Sequence, residues 1–214
     1  MNITLLCSDQ NHPINEFLFR WIEKEKVNHQ IKMVRRKVDL EGGDLLFLIS
    51  CSEVIDSQTR NLYKKSLVLH ASDLPLGRGW SPHIWQIIEG AEEIMLSLLE
   101  ARDVVDSGPI WKKIKLTIPK DALWYEINEI LFSAEVELID FAIEKLSQIE
   151  PTEQNESITP TFYRRRIPSD SQIDPEKSIL DQFDKIRVCD PYRFPAFFDL
   201  HGTRYKIILE KMNG

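Results

Sequence analysis

Residues 42–70, GGDLLFLISCSEVIDSQTRNLYKKSLVLH, place two short apolar runs on either side of a polar, turn-rich segment. GGDLLFLIS opens on the Gly42–Gly43 break and is too short for a helix of ordinary length, so it reads as a buried strand. SLVLH reads the same way. SQTRNLYKK between them can hold a short helix, with Asp56 or Ser57 as its cap. Two buried strands joined through a helix form the repeating unit of an open α/β sheet.

The same alternation runs outward in both directions. Upstream, NITLLCS is a strand, INEFLFRWIEKEK carries Ile14, Phe17, Leu18, Trp21 and Ile22 at helical spacing, and HQIKMVRR alternates as a second strand. Downstream, Ser81 and Pro82 open a helix through HIWQIIEGAEE, with Ser81 at the N-cap and Pro82 at the first helical position. EIMLSLLEA and GPIWKKIKLTI are further strands. Residues 121–149 form a long amphipathic helix whose stripe is Leu123, Ile127, Ile130, Leu131, Ala134, Leu138, Ile139 and Ile143. The fold class is therefore α/β, a Rossmann-like open sheet with flanking helices, over residues 1–150. PTEQNESITP reads as a linker. Residues 151–214 form a small C-terminal subdomain, with a helix in EKSILDQFDKIRV and a hairpin in AFFDLHGTRYKIILE turned at His201-Gly202. That appendage could extend a sheet or pack across a homodimer.

Composition narrows the function. The chain is 43% apolar and carries a net charge of −7, so a polyanion such as tRNA or DNA is not the expected partner. Its apolar runs are too short to span a bilayer, and MNITLLCSDQNHP shows no secretion signal. Cys7, Cys51 and Cys189 are widely spaced with no CxxC pair; Cys7 and Cys51 read as small core residues of a protein in a reducing cytoplasm. The five histidines show no metal-ligand spacing, so no metal is expected.

Chemistry is concentrated where SLVLH ends. His70 stands at the carboxyl end of a strand, the place where open α/β sheets bind ligands. A loop of turn formers, ASDLPLGRGWSP, follows it, and a second strand end, ARDVVDSG, supplies Asp106. On these residues alone, His70 could be a structural cap and Asp106 a turn residue, or the two could form an acid–base pair. Arg164–Arg166 could be a solvated turn or a diphosphate clamp. Trp80 could be a lid over the core or a platform for a ring.

HASDLPLGRGWSP with a downstream VDSGPI resembles the 10-formyltetrahydrofolate-dependent formyltransferases, most closely the compact N-formyltransferases of nucleotide-linked amino sugars. In that family Asn-x-His-x-Ser-Leu-Leu-Pro is followed by Asp-x-Gly. Here His70, Ser72, Leu74, Pro75, Asp106 and Gly108 match, and Asp106 lies 36 residues after His70. The resemblance implies formyl transfer from 10-formyltetrahydrofolate to an amine, with His70 and Asp106 catalytic. It implies that Ser50, Cys51, Ser52, Val54, Val104 and Val105 hold the folate. It assigns Ser72, Arg78, Trp80, Tyr163, Arg165 and Arg166 to a UDP- or dTDP-linked amino sugar of bacterial surface glycan synthesis, such as the pseudaminic type. One position departs: Val68 stands where the family has its catalytic asparagine. A backbone N–H, Ser72 or Gln86 could replace that donor. Otherwise the chain is a folate-binding relative without turnover, or a hydrolase of the same folate.

Overall fold

A computed structural model describes residues 1–212. The elements run β1 (Asn2–Leu6), α1 (Ile14–Glu25), β2 (Gln30–Val34), β3 (Gly43–Leu48), α2 (Ser57–Arg60), β4 (Tyr63–His70), β5 (Arg78–Gly79), α3 (Pro82–Ile88), β6 (Glu93–Glu100) and β7 (Ile110–Thr117). After them come α4 (Trp124–Lys145), β8 (Phe162–Tyr163), α5 (Ile179–Arg187), β9 (Ala196–Leu200) and β10 (Thr203–Ile207). Six strands make the central sheet in the order β2-β1-β3-β4-β6-β7. β1, β2, β3 and β4 pair in parallel, and β4–β6 and β6–β7 pair antiparallel. This is the α/β class expected from the alternation of apolar strands and helices.

The central strands β1 and β3 and the second half of β4 are largely apolar because both faces of the sheet are covered there. Ile3, Leu5, Cys7, Leu45, Phe47, Ile49, Leu67 and Leu69 point to one face, where α1, α3 and α4 pack. The intervening Leu6, Leu46 and Leu48 point to the other, with Val34, Leu40, Ile55 and Tyr63. On the helical face, Trp21 Nε1 donates to Asp140 Oδ1 at 2.6 Å and fixes α1 against α4.

Several local expectations are revised. α2 ends at Arg60, and Tyr63–Lys65 already belong to β4, because Tyr63 pairs with Gly43 and turns its ring inward, its hydroxyl 3.2 Å from Thr4 Oγ1. Ser81 precedes α3 but its side chain makes no cap bond; it sits at φ +45°, and Pro82 starts the helix. Trp85, in α3, is half-buried, donates to the Arg164 carbonyl and stacks on Tyr163. The hairpin forms as expected, with His201 and Gly202 both at positive φ, as a tight two-residue turn requires.

Residues 151–163 are bound along much of their length. Thr152 bridges to Ile110, Thr161 and Tyr163 accept from the N–H groups of Arg78 and Trp80, and β8 pairs in parallel with β5. α5 is anchored by Arg187, whose guanidinium is buried against the carbonyls of Pro119 and Ala122 at the start of α4.

Gly108 lies in the connection from β6 to β7, pressed against the carbonyl of Glu100, and a Cβ there would overlap that oxygen. Gly108→Ala is expected to destabilise by about 2 kcal/mol, lowering the thermal midpoint by about 4–8 °C in a chain of this size. Calorimetry checks this, and an unchanged midpoint would show that the connection can be rerouted.

Candidate active site

β4 carries His70 to the carboxyl edge of the sheet, where its ring is 6% exposed. Its Nε2 lies 2.9 Å from the carbonyl oxygen of Gly77, so Nε2–H donates there and the tautomer is set. Nδ1 is left facing Asp106, with Oδ1 at 3.6 Å. That separation exceeds a hydrogen bond, as catalytic contacts often do before substrate draws them together. Asp106 has φ +57° and is 8% exposed, and its Oδ2 accepts from Gly79 N–H at 2.9 Å. Gly79 itself sits at φ +100° with the Tyr163 carbonyl where a Cβ would be, so only glycine fits.

A side chain from the presumed linker completes this junction. Gln154 Nε2 donates to the carbonyls of Asp106 at 2.8 Å and Gly108 at 2.9 Å, and its Oε1 accepts from Arg78 at 2.7 Å. Thr161 Oγ1 accepts from Gly77 N–H at 2.8 Å. The carbonyl that holds His70 and the amide that holds Asp106 are therefore both fixed from the C-terminal segment.

His70 and Asp106 open into a cleft of about 660 Å³, a size that suits a substantial ligand. The structure brings Ser50, Cys51, Ser52, Val54, Val105, Trp80, Arg165 and Arg166 into its lining. It places four expected residues elsewhere. Ser72 is buried beneath the loop, Arg78 is held by Gln154, Tyr163 stacks on Trp85 with its hydroxyl on Glu89, and Val104 lies exposed beside the rim. Gln86 donates to the Ala71 carbonyl, so neither Ser72 nor Gln86 offers its polar end to the cleft. Val68 lies in a wall with Leu48, Ile55, Ala101 and Val105. An apolar wall rimmed by Ser50 and Ser52 suits a flat heteroaromatic ring whose edge needs hydrogen bonds.

The cleft also holds polar groups that the sequence reading did not single out: His12, His83, Asn128, Glu135 and Arg193. His12 Nδ1 accepts from Ile14 N–H at 3.3 Å, leaving Nε2–H for Ser50 Oγ at 3.2 Å. Burial, with Arg193 nearby, lowers the His12 pKa to about 4, against the opposing pull of Asp9. Burial together with His12, His70 and Arg166 lowers His83 to about 3; its open edge faces the cleft rather than bulk water. Glu135, on the inner face of α4, is pushed up to about 8 by burial. Both histidines are therefore neutral near pH 7. Among the described residues no cluster of side chains is arranged to hold a metal ion, and no helix is long and apolar enough to cross a membrane.

No protein-family model matches the chain. A methionyl-tRNA formyltransferase of Protochlamydia amoebophila is 26% identical over 152 residues, 70% of this chain and 48% of the relative. The chain spans about half the length of the first curated relatives it matches. Among solved structures, methionyl-tRNA formyltransferase from Clostridium thermocellum superposes with a TM-score of 0.80 at 21% identity, over 100% of this chain and 94% of that one. A 4-N formyltransferase from Francisella tularensis gives 0.73 at 18% identity, over 99% and 98%. HypX from Aquifex aeolicus in complex with tetrahydrofolic acid gives 0.75 at 19% identity, over 94% of this chain and 36% of that one. In sequence and in fold, the chain is similar to formyltransferases.

The two neutral histidines set a pH dependence of stability. Between about pH 6.5 and 4 the unfolded chain binds protons at His12 and His83 that the folded chain does not. Stability contributed at these sites is thus lost as pH falls through that window. A His12→Gln/His83→Gln variant is expected to lose less unfolding free energy than the parent between pH 6.5 and 4.5, measured by denaturant titration. Parallel losses would contradict burial of the two rings in their neutral form.

Proposed function

We propose that this chain is an N-formyltransferase that moves a formyl group from 10-formyltetrahydrofolate to the amine of a UDP- or dTDP-linked amino sugar. Surface glycan synthesis, of the pseudaminic type among others, is the setting that this acceptor fits. One observation carries the acceptor class. Arg165 and Arg166 line the same cleft as His70 and Asp106, and neither has a carboxylate partner among the described residues. The neighbouring cations differ: Arg164 is paired with Asp170, Arg193 with Asp9 and Arg102 with Glu153. Arg165 lies over the Trp80 ring at 5.0 Å, and Arg166 leaves a buried Nε without a hydrogen-bond partner. Arg166 donates to Ser171 Oγ at 3.0 Å, yet a diphosphate offers both guanidinium groups the anionic acceptor oxygens they lack among the described residues. The net charge of −7 supports a small anionic acceptor over a polynucleotide, which needs a broad basic surface.

The folate supplies, when bound, a formyl group on a nitrogen that can depart. The apolar wall of Leu48, Ile55, Val68 and Val105 would take its ring, with Ser50 and Ser52 at the edge. Because Nε2 is committed to Gly77, Nδ1 is the nitrogen of His70 open to the reaction. Protonated there, His70 would donate to the formyl oxygen as negative charge develops on it. Asp106 would balance the imidazolium's charge, take the proton that the amine loses as its new C–N bond forms, and return a proton to the departing nitrogen as the old formyl C–N bond breaks. Val68 supplies no donor; His83 and Asn128 are the neighbouring cleft side chains able to replace one.

Mass spectrometry of UDP- and dTDP-amino sugars incubated with the protein and 10-formyltetrahydrofolate tests this reading. One added formyl group on one sugar is expected. Folate consumed without a formylated sugar would point to a hydrolase, and folate bound but intact to a relative without turnover. His70→Ala and Asp106→Asn should each lower the rate by at least about 100-fold, the scale for removing a positioned acid or base. Arg165→Ala and Arg166→Ala should chiefly raise KM for the sugar, and a KM unchanged in both would detach these arginines from the acceptor.

A further inference from the structure

α4 packs its apolar stripe against the sheet, and one member of that stripe is a carboxylic acid. Glu135 follows Leu131 by four residues and precedes Leu138 by three, so it points inward with them. It is 8% exposed, and its Oε2 has no hydrogen-bond partner in the protein. A buried carboxyl without a partner destabilises the fold, and leucine at this place in the stripe would not. Unlike the buried Arg187, which is bound by two carbonyls and Asp184, Glu135 has no structural contact that accounts for it. It does line the cleft.

Its position within the cleft selects what it meets. The wall assigned to the folate, from Leu48, Ile55 and Val68, belongs to one face of the sheet. Glu135 belongs to the other face, with Phe132, Ile84 and Val188. Arg166 and His12 also line the cleft, His12 being tilted against the Phe132 ring with a centroid separation of 5.6 Å. The reacting pair His70–Asp106 opens into the cleft these two walls share, so a donor on the first wall leaves the second for the acceptor.

We propose that Glu135 is a specificity-determining residue that hydrogen-bonds a neutral polar substituent of the acceptor, a hydroxyl or a secondary amide. This rests on the formyltransferase reading above. Burial keeps the Glu135 carboxyl protonated near neutral pH, so it presents one O–H donor and one carbonyl acceptor. A hydroxyl or a secondary amide answers with the same two functions. A protonated amine offers only donors, and a phosphate at neutral pH chiefly acceptors.

Glu135→Gln keeps a donor and an acceptor on the same frame, whereas Glu135→Leu keeps the volume and removes both. Steady-state kinetics and thermal melts of both variants, with UDP- and dTDP-4-amino-4-deoxyhexoses as acceptors, separate the outcomes. The leucine variant is expected to melt at or above the parent temperature, to raise KM for the sugar at least 10-fold and to leave KM for 10-formyltetrahydrofolate unchanged. The glutamine variant should stay close to the parent in all three. An unchanged sugar KM in the leucine variant, or a parallel rise in both KM values, would overturn the assignment while leaving formyl transfer intact. If the parent formylates none of these sugars, the formyltransferase reading fails separately. The thermal shift of each sugar on the parent and the two variants then decides the role of Glu135. A shift shared by parent and glutamine variant but missing in the leucine variant upholds it, and no shift in the parent, or an equal one in the leucine variant, overturns it.

Discussion

The hydrogen bond from Gly79 N–H to the Asp106 carboxylate joins the loop after β4 to the loop after β6. The loop after β4 swings out of the sheet to bring Gly77 and Gly79 over its edge. The loop after β6 brings Asp106 to the same point, and the segment from Thr152 to Arg166 clamps both. Remove the glycine at 79 and a side chain would occupy the place of the Tyr163 carbonyl, so β5 and β8 could not pair. His70 and Asp106 would then lose the contacts that orient them, although neither residue had changed. Gln154 reinforces this arrangement by tying together Arg78, Asp106 and Gly108 with one amide.

Electrostatics follow from where that junction sits. The chain as a whole is acidic, yet the cleft collects two guanidinium groups without a carboxylate partner among the described residues and histidines kept neutral by burial. Carboxylates elsewhere are largely spent on surface ion pairs, which add little stability but neutralise neighbouring lysines and arginines. Among the arginines that line the cleft, Arg165 and Arg166 differ from Arg102 and Arg193 in having no carboxylate partner among the described residues, and a low-dielectric cleft strengthens their pull on an anion. Two such groups in one cleft would draw a small, highly charged ligand, in keeping with the acceptor proposed above.

Much of the sheet was legible because its central strands are buried on both sides. Leu45–Leu48 and Leu67–Leu69 are apolar at every position, and glycines and polar turns mark their ends. The start of β4 was misread because Tyr63-Lys64-Lys65 sets two adjacent charges after one aromatic, which suits the end of a helix as well as an entering strand. The His70–Asp106 interval was readable as a resemblance, and the structure brings both residues to one edge. Gln154 and the binding of residues 151–163 were not readable, because a polar, proline-flanked segment has one composition whether it floats free or is bound by backbone hydrogen bonds. His12, His83 and Asn128 come from three separate elements, and no local pattern links them. Glu135 did leave a signal. A period of 3.6 through Leu131, Leu138 and Ile139 requires an inward residue at 135, and the sequence places an acid there.

That exception bears on how the cleft can distinguish its ligands. Val68 removes a polar group from the wall beside His70, and Glu135 adds one in the helical stripe opposite. The first change leaves one side of the cleft drier, which favours a flat ring over a hydrated sugar. The second gives the other side a hydrogen-bonding group that an apolar ring cannot satisfy, and an unmet hydrogen bond at a buried group is costly for the wrong ligand. Polarity is thus divided between the two faces of one sheet, with His70 and Asp106 at the boundary. A donor and an acceptor sorted as proposed above would arrive from opposite sides and meet at His70 and Asp106.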